Sequence, residues 1–213
     1  MSDGVVLIGA GGHASVLLDL LIEQRANILG YISIDIASNE QLFSDFRRFK
    51  SDEQINQFDR SMVKLVNGVG SIPGNTLRHD IYNRYKELGY RFATIVSQNA
   101  IVSKYAQLAE GVQVMHGAII QAGVSVGCNS IVNTGAIIEH DCTIGNNNHI
   151  APGVTISGNV TSQSNVHFGT GSSVIQLVDI DENVIIGAGA TITKNVEKNS
   201  ICYPARIFKQ AIE

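Results

Sequence analysis

An imidazole and a carboxylate stand side by side at His140 and Asp141, and a second imidazole, His149, follows nine residues later. Near neutral pH an uncharged imidazole can take a proton from an amine or hydroxyl attacking an acyl group. A neighbouring carboxylate fixes its tautomer and raises its basicity. Adjacency in sequence does not make two side chains touch, and a solvated pair on a surface corner is the plain alternative. His167 lies 18 residues beyond His149. On its own it reads as an outward spacer on a strand, as do His79 and His116. A different chemistry is suggested near the N-terminus. Gly9-Ala10-Gly11-Gly12-His13-Ala14 follows an apolar run and opens a helical pattern, fitting the glycine fingerprint for a phosphate at a helix N-terminus. Asp35 comes 21 residues after Ala14, roughly where a ribose-binding acid belongs. Gly70, in Asn67-Gly68-Val69-Gly70-Ser71, follows another apolar run and doubles as an ordinary turn glycine.

The elements that must position these groups fall into two regions. From Val102 to Ile192 every sixth residue is apolar except Ser162. Neither a helix nor an ordinary strand sustains a period of six, so the pattern predicts a β-solenoid. Each unit is one flat face and its sixth residue fills the interior. Three units make a triangular coil of about 18 residues, and about five coils stack. The residue two before the apolar position is usually small or β-branched (Ala100, Ala106, Val112, Ala118, Val124, Ser130, Ala136, Cys142) and belongs at a crowded corner. Gly111, Gly117, Gly123, Gly135, Gly153, Gly171 and Gly189, three after the apolar positions, supply the turns. His140 then projects from a corner. The tail after Lys194 leaves the register and is expected to cap the open end.

Residues 1–96 read as α/β: strands at Val5–Ile8, Ile28–Ile34, Met62–Val66 and Phe92–Val96, and helices at Ala14–Gln24 and Thr76–Leu88. Leu77, Ile81, Tyr85 and Leu88 mark one helix face, and residues 36–60 form a helix with a variable loop. Strand–helix alternation implies a small parallel sheet. The expected division is a Rossmann-like unit over 1–96 and a solenoid over 97–213.

The chain has 213 residues, 44% hydrophobic and 16% charged, with a net charge of −4. That supports a true core and gives no general attraction for nucleic acid or anionic membranes. The N-terminus lacks the basic start and unbroken apolar run of a signal peptide, and no segment reaches membrane-span length, so a cytoplasmic protein is expected. Cys128, Cys142 and Cys202 suit neither a disulfide framework nor a zinc site, and the spacing offers no metal-ligand cluster.

The repeat resembles the hexapeptide repeat of left-handed β-helix acyltransferases, over the whole C-terminal half. The stretch Asn133-Thr134-Gly135-Ala136-Ile137-Ile138-Glu139-His140-Asp141 is similar to the active-site segment of the sialic acid O-acetyltransferase and bacillosamine N-acetyltransferase family. That resemblance implies His140 as the base with Asp141 behind it, and His149, Thr170 and Ala188 as acetyl-CoA contacts. It also implies a homotrimer with acetyl-CoA lying between neighbouring coils. The glycine-rich start is similar to the family's half-size nucleotide-sugar unit, which implies substrate contacts at Gly11, Gly12, His13 and Gly70. Asp35 stands where the family often has paired acids. Two further departures are the longer Ser71-Ile72-Pro73-Gly74 loop before Arg78 and Tyr203 in the ending Cys202-Tyr203-Pro204-Ala205-Arg206.

The function implied is acetyl-CoA-dependent N-acetylation of a nucleotide-linked 4-amino-4,6-dideoxy sugar of the UDP-bacillosamine-precursor type, with no metal. GDP-perosamine N-acetylation and sialic acid O-acetylation stay open beside it. So does a non-catalytic solenoid scaffold. A nicotinamide-dependent oxidoreductase rests on the glycine fingerprint alone, and fewer than 100 residues precede the repeats, too few for a full doubly wound domain.

Overall fold

The structure, a computed structural model, describes residues 4–204. Strands β1 (Gly4–Ile8), β2 (Ile28–Ile32), β3 (Arg48–Phe49), β4 (Val63–Asn67) and β5 (Arg91–Phe92) form one parallel sheet in the order β3-β2-β1-β4-β5. The central β1 is buried along its full length, as a strand covered on both faces requires. Helix α1 (Gly12–Glu23) buries Leu17, Leu18, Leu20 and Leu21 on one side. Helix α3 (Leu77–Glu87) covers the other, while the short α2 (Glu40–Phe43) and a 3-10 turn at Asp52–Gln57 precede β3 and β4 respectively.

Two expectations change here. The inward face of α3 is Arg78, Tyr82 and Tyr85, while Leu77 and Leu88 are exposed. Arg78 displaces the leucines because its guanidinium has acceptors inside. It donates to the backbone carbonyls of Asn67 (2.9 Å), Val69 (2.6 Å) and Asn129 (3.2 Å) and to Gln113 Oε1 (3.1 Å). The segment Phe92–Val96 is also not one strand. Phe92 closes the first sheet, and β6 (Ile95–Val96) pairs with Gln113–Val114 as the first rung of the solenoid.

The solenoid is a three-sided prism of parallel two-residue strands. Face I runs from Ile101–Val102 to Thr191–Ile192, face II from Gln107–Leu108 to Asp179–Ile180, and face III from β6 to Ile201–Cys202. These faces hold six, five and seven rungs, somewhat more than five coils. Register partners differ by 18 residues, as in Ile119 with Ile137. Corner positions three after each interior residue from Leu108 to Ile186 take left-handed backbone: the seven glycines, and between them Asn129, Asp141, Asn147, Asn159, Asn165, Leu177 and Asn183. Asn and Asp tolerate that conformation better than other side chains, and the chain uses them at every corner without glycine except Leu177. At the C-terminal end the spacing shortens: Val196 bridges to Ile180 and Ile201–Cys202 pairs with Ile185–Ile186. The rest of the expected cap, with Ala205 and Arg206, lies outside the described residues.

Ser162, the one break in the apolar series, has a partner. Asn148 turns inward from the corner before face III. Its Nδ2 donates to Ser162 Oγ at 2.7 Å, its Oδ1 accepts Val166 N–H at 2.7 Å, and its own N–H donates to Ser130 Oγ at 3.0 Å. All three side chains are buried, so the polar insert is satisfied rather than orphaned. Asn148→Ala strands Ser162 and the Val166 amide, and is expected to cost ~1–3 kcal/mol in urea unfolding. Unchanged stability would mean that the insert is dispensable.

The two units form a shared boundary. Ile95, Met115 and Ile131 pack in one cluster with α1, and Asn67 at the end of β4 donates to Asn129 Oδ1 at 3.2 Å. The C-terminal ends of β1 and β4 therefore point at face III, the side of the prism that carries His149.

Candidate active site

His140 sits at the corner between faces I and II. Its Nδ1 lies 2.9 Å from Asp141 Oδ2, with both side chains more than half exposed. The carboxylate can only accept, so Nδ1 carries a proton, and in the neutral ring Nε2 keeps a lone pair. Neighbouring coils are shaped around the pair. An added Cβ at Gly158, one coil on, would fall 2.6 Å from His140 Nε2, and one at Gly123, one coil back, would strike the Asp141 carboxylate. Gly158→Ala is expected to displace the ring and lower turnover about tenfold or more without lowering the melting temperature. Full activity would show that the ring does not need its present place.

The glycine turn and its surroundings converge as the sequence suggests. Gly11 and Gly12 are exposed at the start of α1, which has no side-chain cap and no acid in its first turn. Its free N–H groups suit an anion. Gly70 is packed close to His13, where an added Cβ would meet the His13 Cβ at 3.4 Å. The loop carrying Asp35 folds back on the same turn through Ser38 N–H to Ala10 O at 2.8 Å. His13 donates from Nε2 to Gln113 Oε1 at 2.8 Å. The Gln113 amide orientation follows from its Nε2, which donates to Asn67 O at 2.8 Å. Burial first, then the nearby Arg78 charge, pushes His13 down to about 4. The ring is neutral, with Nδ1 as its acceptor. Burial also brings the Arg78 guanidinium down to about 9. Its hydrogen-bond partners are carbonyl oxygens, so an anion at the adjacent glycine turn would gain from its field.

On face III, His149 is buried and His167 lies directly beside it in the next coil, with ring centroids 4.9 Å apart. Burial, then the charges of His167, His13 and Arg78, drives His149 down to about 3, and burial lowers His167 as well. Thr170 and Ala188 are exposed and stacked at the corner between faces III and I, joined by Gly189 N–H to Thr170 O at 2.9 Å. Gly169, just before Thr170, lets the next coil approach closely: an added Cβ there would lie 2.5 Å from the Ala188 nitrogen.

His140 is not brought to these groups within one chain. It occupies the I/II corner, which lies opposite face III across the prism. Sequence reasoning also missed two features. Asn133 and Gln113 orient the imidazoles: Asn133 opens the stretch that ends in His140 and Asp141 but carries no sign of this role, and Gln113 belongs to no motif. Asp19, Glu23 and His116 bring one donor atom each within 4.8 Å, through a fold contact between α1 and the coil that spacing does not reveal.

Known proteins share both units of the chain. The profile of the PglD N-terminal domain matches residues 4–85, and that of the bacterial transferase hexapeptide (six repeats) matches residues 123–158. Both units of the chain are similar to NeuD/PglD-type sugar acetyltransferases. Like them, this NeuD/PglD-like chain joins a Rossmann-like unit to a left-handed β-helix. The acetyltransferase domain of PglB from Neisseria gonorrhoeae FA1090, solved with acetyl coenzyme A, is 26% identical, with a TM-score of 0.85 over 98% of this chain and 100% of that one. PerB from Caulobacter crescentus, solved with CoA and GDP-perosamine, is 29% identical, with a TM-score of 0.82 over 93% and 92%. No curated sequence matches. Among the described residues of this NeuD/PglD-like enzyme no helix is long and apolar enough to cross a membrane.

Proposed function

We propose that this acetyltransferase moves the acetyl group of acetyl-CoA to the 4-amino group of a nucleotide-linked 4-amino-4,6-dideoxy sugar, with His140 as the base. The observation that carries the reading is the His140–Asp141 pair, whose 2.9 Å hydrogen bond leaves Nε2 free to accept. The amine nitrogen attacks the thioester carbonyl, the C–N bond forms and the C–S bond breaks. One amine proton goes to His140 Nε2 and CoA leaves as thiolate. Asp141 stabilises the imidazolium that results. A free amine is already nucleophilic, so the base acts on the N–H that becomes acidic as the bond forms.

The nucleotide-sugar is assigned to Gly11, Gly12, His13 and Gly70, with the diphosphate at the open start of α1 and Asp35 on the ribose. The pantetheine arm of acetyl-CoA is assigned to the groove bordered by His149, Thr170 and Ala188. The acceptor-binding turn and face III lie together, and His140 lies across the prism. We therefore infer a homotrimer in which one copy's I/II corner meets a neighbour's face III. Apolar side chains left exposed on the coils, Ile101, Ile175, Leu177 and Ile201, suit side-by-side packing.

The UDP-linked sugar of the bacillosamine-precursor type is the leading acceptor. A GDP-linked sugar is the second reading, favoured by the 29% identity to an enzyme solved with GDP-perosamine. Thiol release from acetyl-CoA, measured with UDP-, GDP- and dTDP-linked 4-amino sugars and with sialic acid, tests both. Turnover with one nucleotide amino sugar alone is the expected result. Turnover with sialic acid alone would replace amine by hydroxyl transfer. Silence with all acceptors, together with no CoA binding, would leave a scaffold.

A further inference from the structure

The amide of Asn133 sets the direction of a hydrogen-bond chain along face III. Asn133 Oδ1 accepts the Thr134 backbone N–H at 2.8 Å, which fixes the amide orientation. Its Nδ2 must then donate to His149 Nε2, 3.2 Å away. His149 Nε2 is therefore the unprotonated nitrogen, and in the neutral ring the proton is on Nδ1. That Nδ1 lies 3.3 Å from His167 Nδ1. Two N–H groups cannot face each other, so His167 Nδ1 accepts and its proton sits on Nε2. Both imidazoles must be neutral for the chain to hold, and burial favours this at each of them.

Both nitrogens of His149 are thus used within the protein. The nitrogen left over is His167 Nε2, an N–H with no partner among the described residues. His167 lines a cavity of about 190 Å³ between the 71–76 loop and the coils, together with Ile72, Arg78, Asn165, Asn183 and Ile185. It also stands three residues before Thr170, on the same face as His149.

We propose that His167 is a specificity residue that donates from Nε2 to an oxygen of a bound substrate, its direction fixed by the Asn133–His149–His167 chain. The ligand chemistry is an acceptor oxygen, either a carbonyl of the acyl-pantetheine arm or an oxygen of the nucleotide-sugar. The proposal rests on the acetyl-transfer reading for its ligand but not for its tautomers. It also gives His149 a definite task. His149 transmits the orientation of Asn133 and closes the wall of the groove, while the next coil supplies the contact.

The test uses the full chain in two stages. Long-range proton–nitrogen correlation of the ¹⁵N-histidine protein near neutral pH reads the tautomers, with the signals assigned by His167→Gln and His149→Gln. Protonated Nδ1 on His149 and protonated Nε2 on His167 are expected; the reverse pattern, or a charged His167, overturns the proposal. Steady-state rates and calorimetric CoA binding then compare wild type, His167→Phe and His167→Gln. Loss of one hydrogen bond should raise one KM about tenfold in the Phe variant, with kcat within about threefold, and Gln, whose amide replaces Nε2–H, should recover most of it. A rise in the KM and Kd of acetyl-CoA or CoA assigns the pantetheine arm; a rise in the KM of the amino sugar assigns the acceptor. Unchanged constants for both, or equal loss in Phe and Gln, overturn the donor role. If no acceptor is turned over at all, the tautomers and the CoA arm still decide this proposal, so its failure and that of the acetyl-transfer reading are distinct.

Discussion

His140→Ala is expected to lower acetyl transfer by about 10²–10⁴-fold, leaving KM for acetyl-CoA nearly unchanged. The ring is exposed on a corner and touches no core, so its loss creates neither a cavity nor an orphaned buried group. An effect on rate is then an effect on proton transfer. Asp141→Asn separates base strength from position. An amide in place of the carboxylate can still bond Nδ1 but cannot stabilise the imidazolium, so the rate should fall while KM for acetyl-CoA stays near the wild-type value. The geometry adds a sharper consequence. If His140 serves an acceptor held by a neighbouring copy, two dead variants should rescue each other. Denaturing and refolding equal amounts of His140→Ala and His13→Ala should regenerate about a quarter of the wild-type sites, because each site draws one intact group from each kind of subunit. No recovery in a verified mixed oligomer would place both groups in one chain's site and remove the cross-prism argument. A smaller-than-tenfold effect of His140→Ala would remove the base.

The parts of this enzyme that follow one local rule were legible in its sequence. The interior positions of the coil, Ser162 apart, are apolar because unpaired polar groups cannot fill a dry prism, and that rule repeats every six residues. The corner glycines carry the second rule, left-handed backbone, and Asp141 could be placed at such a corner from its register alone. Features that depend on distant partners were not legible. The Arg78 face of α3 is chosen by acceptors at Asn67, Gln113 and Asn129, so a charged residue is buried and two leucines are left outside. The edge strand Arg48–Phe49 exists only because β2 is there to pair with it. Ser162 looked like a defect until Asn148, from a different face, supplied its hydrogen bond. The imidazole chain was hidden for the same reason. Its direction is set by a backbone N–H acting on Asn133, and its links span 16 and 18 residues.

Mild acid is expected to weaken this fold well before its carboxylates titrate. His13 is held down to about 4 and His149 to about 3 from an ordinary 6.5, and burial is the main cause at both. Between 6.5 and those values the unfolded chain binds protons that the folded chain refuses. Stability is therefore fully present above pH 6.5 and is lost as pH falls toward the folded values. Two such groups give a limiting slope of ~2.7 kcal/mol per pH unit, reached once both are charged in the unfolded chain. The depressed acids cannot account for a loss in this window. Glu53 and Asp59 are held down from 4.5 and 3.8 by hydrogen bonds, principally from Ser51 and Ser61, so their contribution disappears only at lower pH. Urea unfolding at successive pH values from 7 to 5 should show the midpoint falling, and His149→Gln, which carries no proton in this range, should flatten the fall by about half. A midpoint that stays level across the window would mean that these rings charge freely in the folded chain. The neutral hydrogen-bond chain on face III would then break in mild acid, because a charged His167 has no acceptor nitrogen left for His149.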